Sequence, residues 1–287
     1  MTAASDGDGT AERSALRAAL RELDVRLADT AARGPGACLR YEPLVERLRT
    51  PAAAFLRPDL EHRLARHVDA GDSFARDRIA HVLAGACGAA ALPALLRARE
   101  SDRNDDGDTL EHDLLDLFSA WPEESARLVL DCFGSADPRT RLVGMWGLAV
   151  LDFGGSTYLG MVADAASDPD PRVRADVMST LGSIFGVGDP PRARAVLIAG
   201  TRDPAPEVRL SAVAALGSSR DETVTDLLVA CADDPDRWVR FQTAWSLARR
   251  PGTTVRATLE RLAADEESDV RDAARKVMDS YPANRSA

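Results

Sequence analysis

Apolar and polar positions alternate along most of this chain with the period of an α-helix. Residues 11–33 and 209–216 show the pattern most clearly. The first stripe consists of Leu16, Leu20, Leu23 and Leu27, and the second consists of Ala212, Val213 and Leu216. Spacings of three and four residues place each set on one helix face. The pattern predicts an all-helical chain.

The helical pattern repeats along the sequence. Four segments align on a shared Val-Arg pair, namely residues 168–174, 203–209, 234–240 and 265–271. With weaker matches upstream, the anchor positions are 76, 110, 141, 174, 209, 240 and 271, at intervals of 31 to 35 residues. A unit of this size does not bury its apolar face alone, so we expect the units to stack.

Each unit is predicted to contain two helices. Four residues before the anchor is a position that favours a helix N-cap, and five of the seven units have aspartate there. The next position holds Pro138, Pro171 and Pro206 in three units, and proline suits the first helical position. The second helix of each pair therefore begins just before the anchor.

The recurring Asp-Pro-x-Val-Arg-x-x-Ala-Ala-x-Ala-Leu-Gly pattern resembles HEAT repeats, in particular the short HEAT-like repeats named after phycobilisome lyases. The resemblance covers residues 58–281. It implies an all-α fold, a right-handed α-solenoid of about seven helix pairs. Outside it we expect a disordered N-terminus at residues 1–9, a helical N-terminal cap at residues 10–57 and a frayed tail at residues 282–287.

Arginine and aspartate recur in the same phase of the repeat. Six places before several anchors stand Asp168, Asp203, Asp234 and Asp265. The shared phase favours ion pairs between neighbouring units over a basic track for an anionic ligand. The arginines expected in this internal ladder are Arg141, Arg174, Arg209, Arg240 and Arg271.

The second helices are expected to line the concave face of the solenoid. Positions one, two and five places after the anchor point outward on that face. Large aromatic rings there are typical of binding hot spots, although rings of this kind also fill gaps between helices. The predicted partner-binding residues are Trp146, Trp245, Phe241, Gln242, Asp176, Ser179, His81 and His112.

An acidic stretch at residues 102–113 resembles an EF-hand calcium loop. Its predicted ligands are Asp102, Asn104, Asp106, Asp108 and Asp113, with Gly107 at the turn. The repeat template gives another explanation, in which Asp106 caps a helix and the remaining acids are solvated. The sequence therefore predicts no cofactor, and calcium is the one alternative that it raises.

The resemblance also leaves enzymatic alternatives open, because the group includes chromophore lyases, deoxyhypusine hydroxylases and DNA glycosylases. The hydroxylases carry His-Glu pairs after the anchor, and the nearest pair here is the inverted Glu111-His112. A glycosylase-like pairing of Asp176 with Trp146 is disfavoured by the acidic chain. No nucleophile elbow, P-loop or dinucleotide fingerprint occurs. A lyase, an isomerase or an enzyme-maturation factor stays the alternative to a binding protein.

Charge and cysteine content narrow the choice of partner. The net charge of −10 argues against nucleic acid and anionic membranes. The longest apolar run, Val82–Leu96, is shorter than a membrane span. Four scattered cysteines fit a reducing compartment. We therefore expect a cytoplasmic scaffold or adaptor whose partner is a basic protein or peptide. The sequence does not predict the oligomeric state.

Overall fold

The computed structural model describes residues 5–33, 41–101, 109–151, 157–188, 191–219 and 221–280. Within these ranges every regular element is a helix. The chain divides into two compact units, unit 1 at Met1–Gly134 and unit 2 at Ser135–Ala287. Both are built as an α-solenoid, in which successive helices stack on their sequence neighbours.

The described residues of unit 1 form seven α-helices and two 3-10 turns, Pro51–Leu56 and Gly88–Ala91. The helices are α1 (Ser5–Arg33), α2 (Glu42–Leu48), α3 (Arg57–Ala70), α4 (Ser73–Cys87), α5 (Leu92–Glu100), α6 (Thr109–Ala120) and α7 (Pro122–Phe133).

In the part of unit 2 that the structure describes there are nine α-helices and three 3-10 turns, Ala165–Ser167, Glu222–Val224 and Cys231–Asp233. The helices are α8 (Pro138–Leu151), α9 (Leu159–Asp164), α10 (Pro171–Gly188), α11 (Pro191–Gly200), α12 (Pro206–Ser218), α13 (Thr225–Ala230), α14 (Arg237–Leu247), α15 (Thr253–Leu262) and α16 (Ser268–Ser280).

The N-terminal helix α1 is longer than the sequence pattern indicates. It begins at Ser5, inside the stretch 1–9 for which we expect disorder. Acidic residue types are favoured in the first turns of a helix, which accounts for its extension through an acidic sequence. The predicted leucine stripe is the buried face of α1, and each of its four leucines is at most 4% exposed.

The most apolar part of the sequence lies in the core of unit 1. Residues Ser73–Glu100 have the length and composition of a membrane span. They form α4 and α5 instead of one straight helix, because Gly88 interrupts them with a φ of +55°. Of the most apolar stretch, 61% is buried inside the unit. Its hydrophobicity is that of a core helix.

The second helices of the pairs in unit 2 form one layer. Helices α8, α10, α12, α14 and α16 contact one another in that order, and we call them the second-helix layer. Aspartates cap several of them as predicted, for example Asp236, whose side chain accepts the N–H groups of Trp238 and Val239. Pro138, Pro171 and Pro206 are the first residues of α8, α10 and α12.

Small residues allow these helices to approach closely. A Cβ atom on Gly217 of α12 would lie 3.0 Å from the Cα of Ser246 on α14. The Ser246 hydroxyl donates to the Val213 carbonyl across the same contact, at 3.1 Å. Glycine is therefore required at 217 by the neighbouring backbone, because a larger residue would push the helices apart.

Helix α16 has the features expected of a terminal repeat. Val270, Ala273, Ala274 and Val277 are fully buried against the unit. The opposite face is polar, and Arg275 is exposed where the internal repeats carry an apolar residue. This face therefore offers no apolar surface on which a further repeat would stack.

Candidate functional site

Four arginines of unit 2 bridge neighbouring helix pairs through one set of hydrogen bonds. Nε and Nη2 donate to the two carboxylate oxygens of an aspartate in the next pair, at 2.7–2.9 Å. Nη1 donates to two backbone carbonyls of the arginine's own turn. These pairs, which we call the charge ladder, are Arg141–Asp168, Arg174–Asp203, Arg209–Asp234 and Arg240–Asp265.

The charged groups of the ladder are mostly buried and pair with one another. No ladder side chain is more than 15% exposed. Each aspartate also accepts a backbone N–H from two residues later, as Asp234 does from Asp236 at 2.8 Å. The hydrogen bond from Arg174 lowers the pKa of the Asp203 carboxyl, and that from Arg240 lowers the pKa of Asp265. A paired, mostly buried guanidinium is not available as a basic track for a ligand.

Helix α14 carries a row of aromatic rings on its outer side. Trp238 and Trp245 are 44% and 42% exposed, and Phe241 lies half-buried between them. The ring centroids are 5.6 Å apart for Trp238–Phe241 and 6.3 Å apart for Phe241–Trp245, both in edge-on geometry. These three residues, which we call the aromatic stripe, form a continuous ring surface along the helix.

Charged residues border the aromatic stripe. The ladder holds successive repeats in one register, so equivalent positions of α12, α14 and α16 lie side by side. In this register Glu207 and Asp269 occupy the repeat positions equivalent to Trp238, Asp272 occupies that of Phe241, and Lys276 occupies that of Trp245. All four charged side chains are exposed.

A guanidinium already lies on the stripe. Arg237 stands over the Trp238 ring, with its Cζ 4.9 Å from the ring centroid. The same arginine pairs with Glu267 at 3.5 Å. The Trp238 ring therefore accepts a cation within a few ångströms of a carboxylate.

The other predicted partner-binding residues are spread over both units. Gln242 lies on α14 and donates weakly to Ser246 at 3.4 Å. Trp146 lies on α8 and is half-buried, in contrast to the exposed position that we expected. Asp176 and Ser179 lie on α10, separated from α14 by α12. Trp238 was missed because the template considered only positions after the anchor, although the aromatic spacing at 238, 241 and 245 indicates it.

In unit 1, His81 and Asp113 form a pair that the sequence did not indicate. The His81 Nδ1 atom lies 2.6 Å from Asp113 Oδ1, which joins α4 to α6. Asp113 is only 5% exposed, and its Oδ2 atom has no hydrogen-bond partner among the residues that the structure describes. His81 is therefore a half-buried structural neighbour of Asp113 instead of an open contact residue. His112 is exposed on α6 and makes its own polar contact.

The predicted calcium ligands fall mainly outside the described ranges. Asp102, Asn104, Asp106 and Asp108 lie in residues 102–108, which are not among them. Asp113, the last position of the loop, is described, and its Oδ1 faces His81. In the ranges that the structure covers, no three His, Cys, Asp or Glu side chains are grouped to hold a metal ion.

The three described cysteine thiols have raised pKa values and are therefore weakly reactive. Burial raises the pKa of Cys87 and Cys132, and it raises the pKa of Cys231 to about 11. A thiol with a raised pKa carries little thiolate at neutral pH and is a poor nucleophile. Cys38 lies outside the described residues.

A polar cleft of about 450 Å³ lies in unit 2 beside the C-terminal ends of α12 and α14. Its main cation, Arg250, is 6% exposed. The two Nη atoms of Arg250 donate to Asp221 O, Thr225 Oγ1, Leu216 O and Ser219 O. This guanidinium therefore closes the loop that follows α12.

Part of unit 2 matches a known protein family. Residues 194–279 match the family model for HEAT repeats. None of the curated proteins compared matches the chain.

Several solved structures resemble the chain in fold. A designed armadillo repeat protein in complex with the peptide (KR)4 is 16% identical with a TM-score of 0.43, and the match covers 66% of this chain and 99% of that one. An engineered protein is 15% identical with a TM-score of 0.43, covering 94% and 81%. Human deoxyhypusine hydroxylase in complex with glycerol is 18% identical with a TM-score of 0.37, covering 92% and 97%.

Proposed function

We propose that this chain, a HEAT-repeat protein by its match over residues 194–279, binds a protein or peptide on the aromatic stripe of α14. The observation that carries the proposal is the exposure of Trp238 and Trp245 on either side of Phe241. Tryptophan is rarely left this open on a surface that stays in water, and it is the residue type most enriched among binding hot spots.

The stripe is suited to a partner because its rings are held in place before binding. Each ring contacts the next edge-on, and all three project from a helix whose N-terminus is capped by Asp236. Pre-ordered rings lose little conformational entropy when a partner covers them. Polar rim residues such as Glu207, Asp272 and Lys276 surround the apolar centre, which is the usual arrangement of an interface.

A basic partner segment is the finer part of the proposal. Glu207, Asp269 and Asp272 are exposed, and their repeat positions are equivalent to those of Trp238 and Phe241, so we expect three carboxylates on the helices next to the N-terminal half of the stripe. The contact of Arg237 with the Trp238 ring illustrates how a guanidinium of a partner would stack on Phe241 or Trp245. The net charge of −10 favours the same kind of partner.

Four further expectations from the sequence remain predictions. They are membership of the phycobilisome-lyase subgroup, a cytoplasmic location, a calcium loop at residues 102–113, and the alternative that the chain is a lyase, an isomerase or an enzyme-maturation factor. The described pair that such an enzyme would use best is His81 with Asp113.

The test is a selection of short peptides on the full chain. A phage-displayed library of random short peptides is enriched on the wild-type protein and depleted on the variant carrying Trp238→Ala and Trp245→Ala. We expect enriched peptides that bind the wild type with a dissociation constant in the micromolar range and the double variant at least about tenfold more weakly. We also expect arginine or lysine to be enriched in them.

The matched control is Trp121→Ala. Trp121 is 43% exposed, as open as the stripe tryptophans, but it lies in unit 1. Its removal should leave peptide binding unchanged. A library from which nothing is enriched, or peptides that Trp121→Ala and the double variant weaken equally, would contradict the proposal. Peptides that require the stripe but carry no basic residue would overturn only the basic partner.

A further inference from the structure

The charge ladder ends at Arg271, and the last arginine differs from the other four in one respect. Its Nη1 atom donates to the Asp265 and Glu266 carbonyls at 2.7 and 2.8 Å. This is the bond set that Nη1 makes in Arg209 and Arg240. The guanidinium of Arg271 is thus anchored to its own turn in the ladder pose.

The other side of this guanidinium is open. In the four ladder pairs Nε and Nη2 grip a carboxylate, whereas for Arg271 no carboxylate of the described residues meets these atoms. We infer that Nε and Nη2 of Arg271 form a preorganised receptor for the carboxylate of a partner protein's aspartate.

The ladder also specifies the form of that ligand. In all four pairs the aspartate Oδ1 accepts Nη2 of the arginine and the backbone N–H two residues later, and Oδ2 accepts Nε. The carboxylate therefore comes from an aspartate that begins a tight turn before a helix. A bidentate, charge-assisted pair of this kind recognises geometry as well as charge.

A partner protein is a better source of this aspartate than a second copy of the chain. The ladder aspartates Asp168, Asp203, Asp234 and Asp265 are already paired. A stacked further repeat is also disfavoured, because the outer face of α16 is polar and carries Asp272, Arg275 and Lys276. The receptor therefore takes an acidic turn without requiring an apolar contact. It does not depend on the aromatic stripe.

The experiment observes the Nε–H resonances of the arginines in the 15N-labelled full chain. The probe is a synthetic peptide with the sequence of residues 166–174, which includes the aspartate that Arg141 grips. We expect the Arg271 signal to move on titration toward the positions of the four ladder arginines, with a dissociation constant on the order of 1 mM. The Asp168→Asn peptide should bind at least about tenfold more weakly.

Two variants assign the effect. Arg271→Gln should abolish the response to the peptide, whereas Arg275→Gln, on the exposed face of the same helix, should preserve it. Three results would overturn the inference. They are a free-protein Arg271 signal already at the ladder position, no movement with the peptide, and equal movement with the Asp168→Asn peptide.

Discussion

In unit 2, four aspartates accept two hydrogen bonds each from an arginine one repeat earlier and a third from their own turn. In unit 1, buried charge is handled in other ways. Among the described residues Asp113 meets the His81 ring, and Arg76 pairs with Asp77, its neighbour in sequence. The half-buried Arg78 lies over the Phe74 ring, with its Cζ 5.4 Å from the ring centroid.

The difference follows from the regularity of the sequence. A repeat that returns with nearly the same spacing places each arginine opposite the same aspartate, so one solution serves every interface. The anchors of unit 1 are weaker, and the two positions equivalent to the later arginines are Arg76 and Leu110. Its polar groups must therefore be satisfied individually. We expect removal of a ladder charge to be costly and removal of Asp113 to be mild.

The largest effect is expected from breaking the ladder at its centre. Arg209→Gln leaves the buried Asp234 carboxylate with a backbone donor only, and it should lower the free energy of unfolding by about 2–3 kcal/mol. Urea unfolding followed by far-UV circular dichroism measures this. Arg256→Gln removes an arginine whose ion pair with Glu260 is solvent-exposed on both sides, and it should have no measurable effect. Equal losses for the two variants would contradict a structural role for the ladder.

Acid should weaken unit 2 through the same contacts. The pKa values of Asp203 and Asp265 are lowered by their arginine partners, so folding lowers them below their unfolded values. Their contribution is therefore present above about pH 4 and is lost as the pH falls through the lowered values. Thermal melts from pH 7 to pH 3 should show this loss. Asp203→Asn should be less stable at pH 7 and lose less on acidification, and an unchanged slope would contradict the assignment.

A smaller effect is expected at the buried carboxylate of unit 1. Asp113→Asn removes a charge that has one imidazole contact and an Oδ2 atom without a donor among the described residues. The loss of that contact is offset because a neutral amide costs less to bury than a carboxylate. The change in unfolding free energy should therefore stay below about 1 kcal/mol. Asp234→Asn in the ladder is the matched comparison. A larger loss at Asp113 than at Asp234 would reverse the contrast between the units.

The smallest effect on stability is expected at the aromatic stripe. Trp238→Ala and Trp245→Ala should each change the unfolding free energy by about 0.5 kcal/mol or less, because both rings are largely exposed. Far-UV circular dichroism should remain that of the wild type. A loss comparable to that of Arg209→Gln would identify the rings as core residues and remove the basis for the binding proposal.

The features that can be predicted from the sequence are those that recur with the repeat. The ladder and the helix caps follow from the phase in which aspartate and arginine recur, six residues apart, as they do at Asp234 and Arg240. Trp238 lay outside the template positions, and the His81–Asp113 pair depends on a contact between α4 and α6 that no period encodes. Exposure of Trp146 was also overestimated, since equivalent positions in a repeat share a direction but not the same neighbours.

Hydrogen–deuterium exchange with a selected peptide tests most directly which unit binds the partner. The full chain is compared with and without saturating peptide. If the aromatic stripe is the binding site, amides of α14 and the adjoining α12 and α16 gain protection, while α4 and α6 of unit 1 exchange as before. Protection of α4 and α6 with none on α14 would place binding in unit 1 and contradict this account.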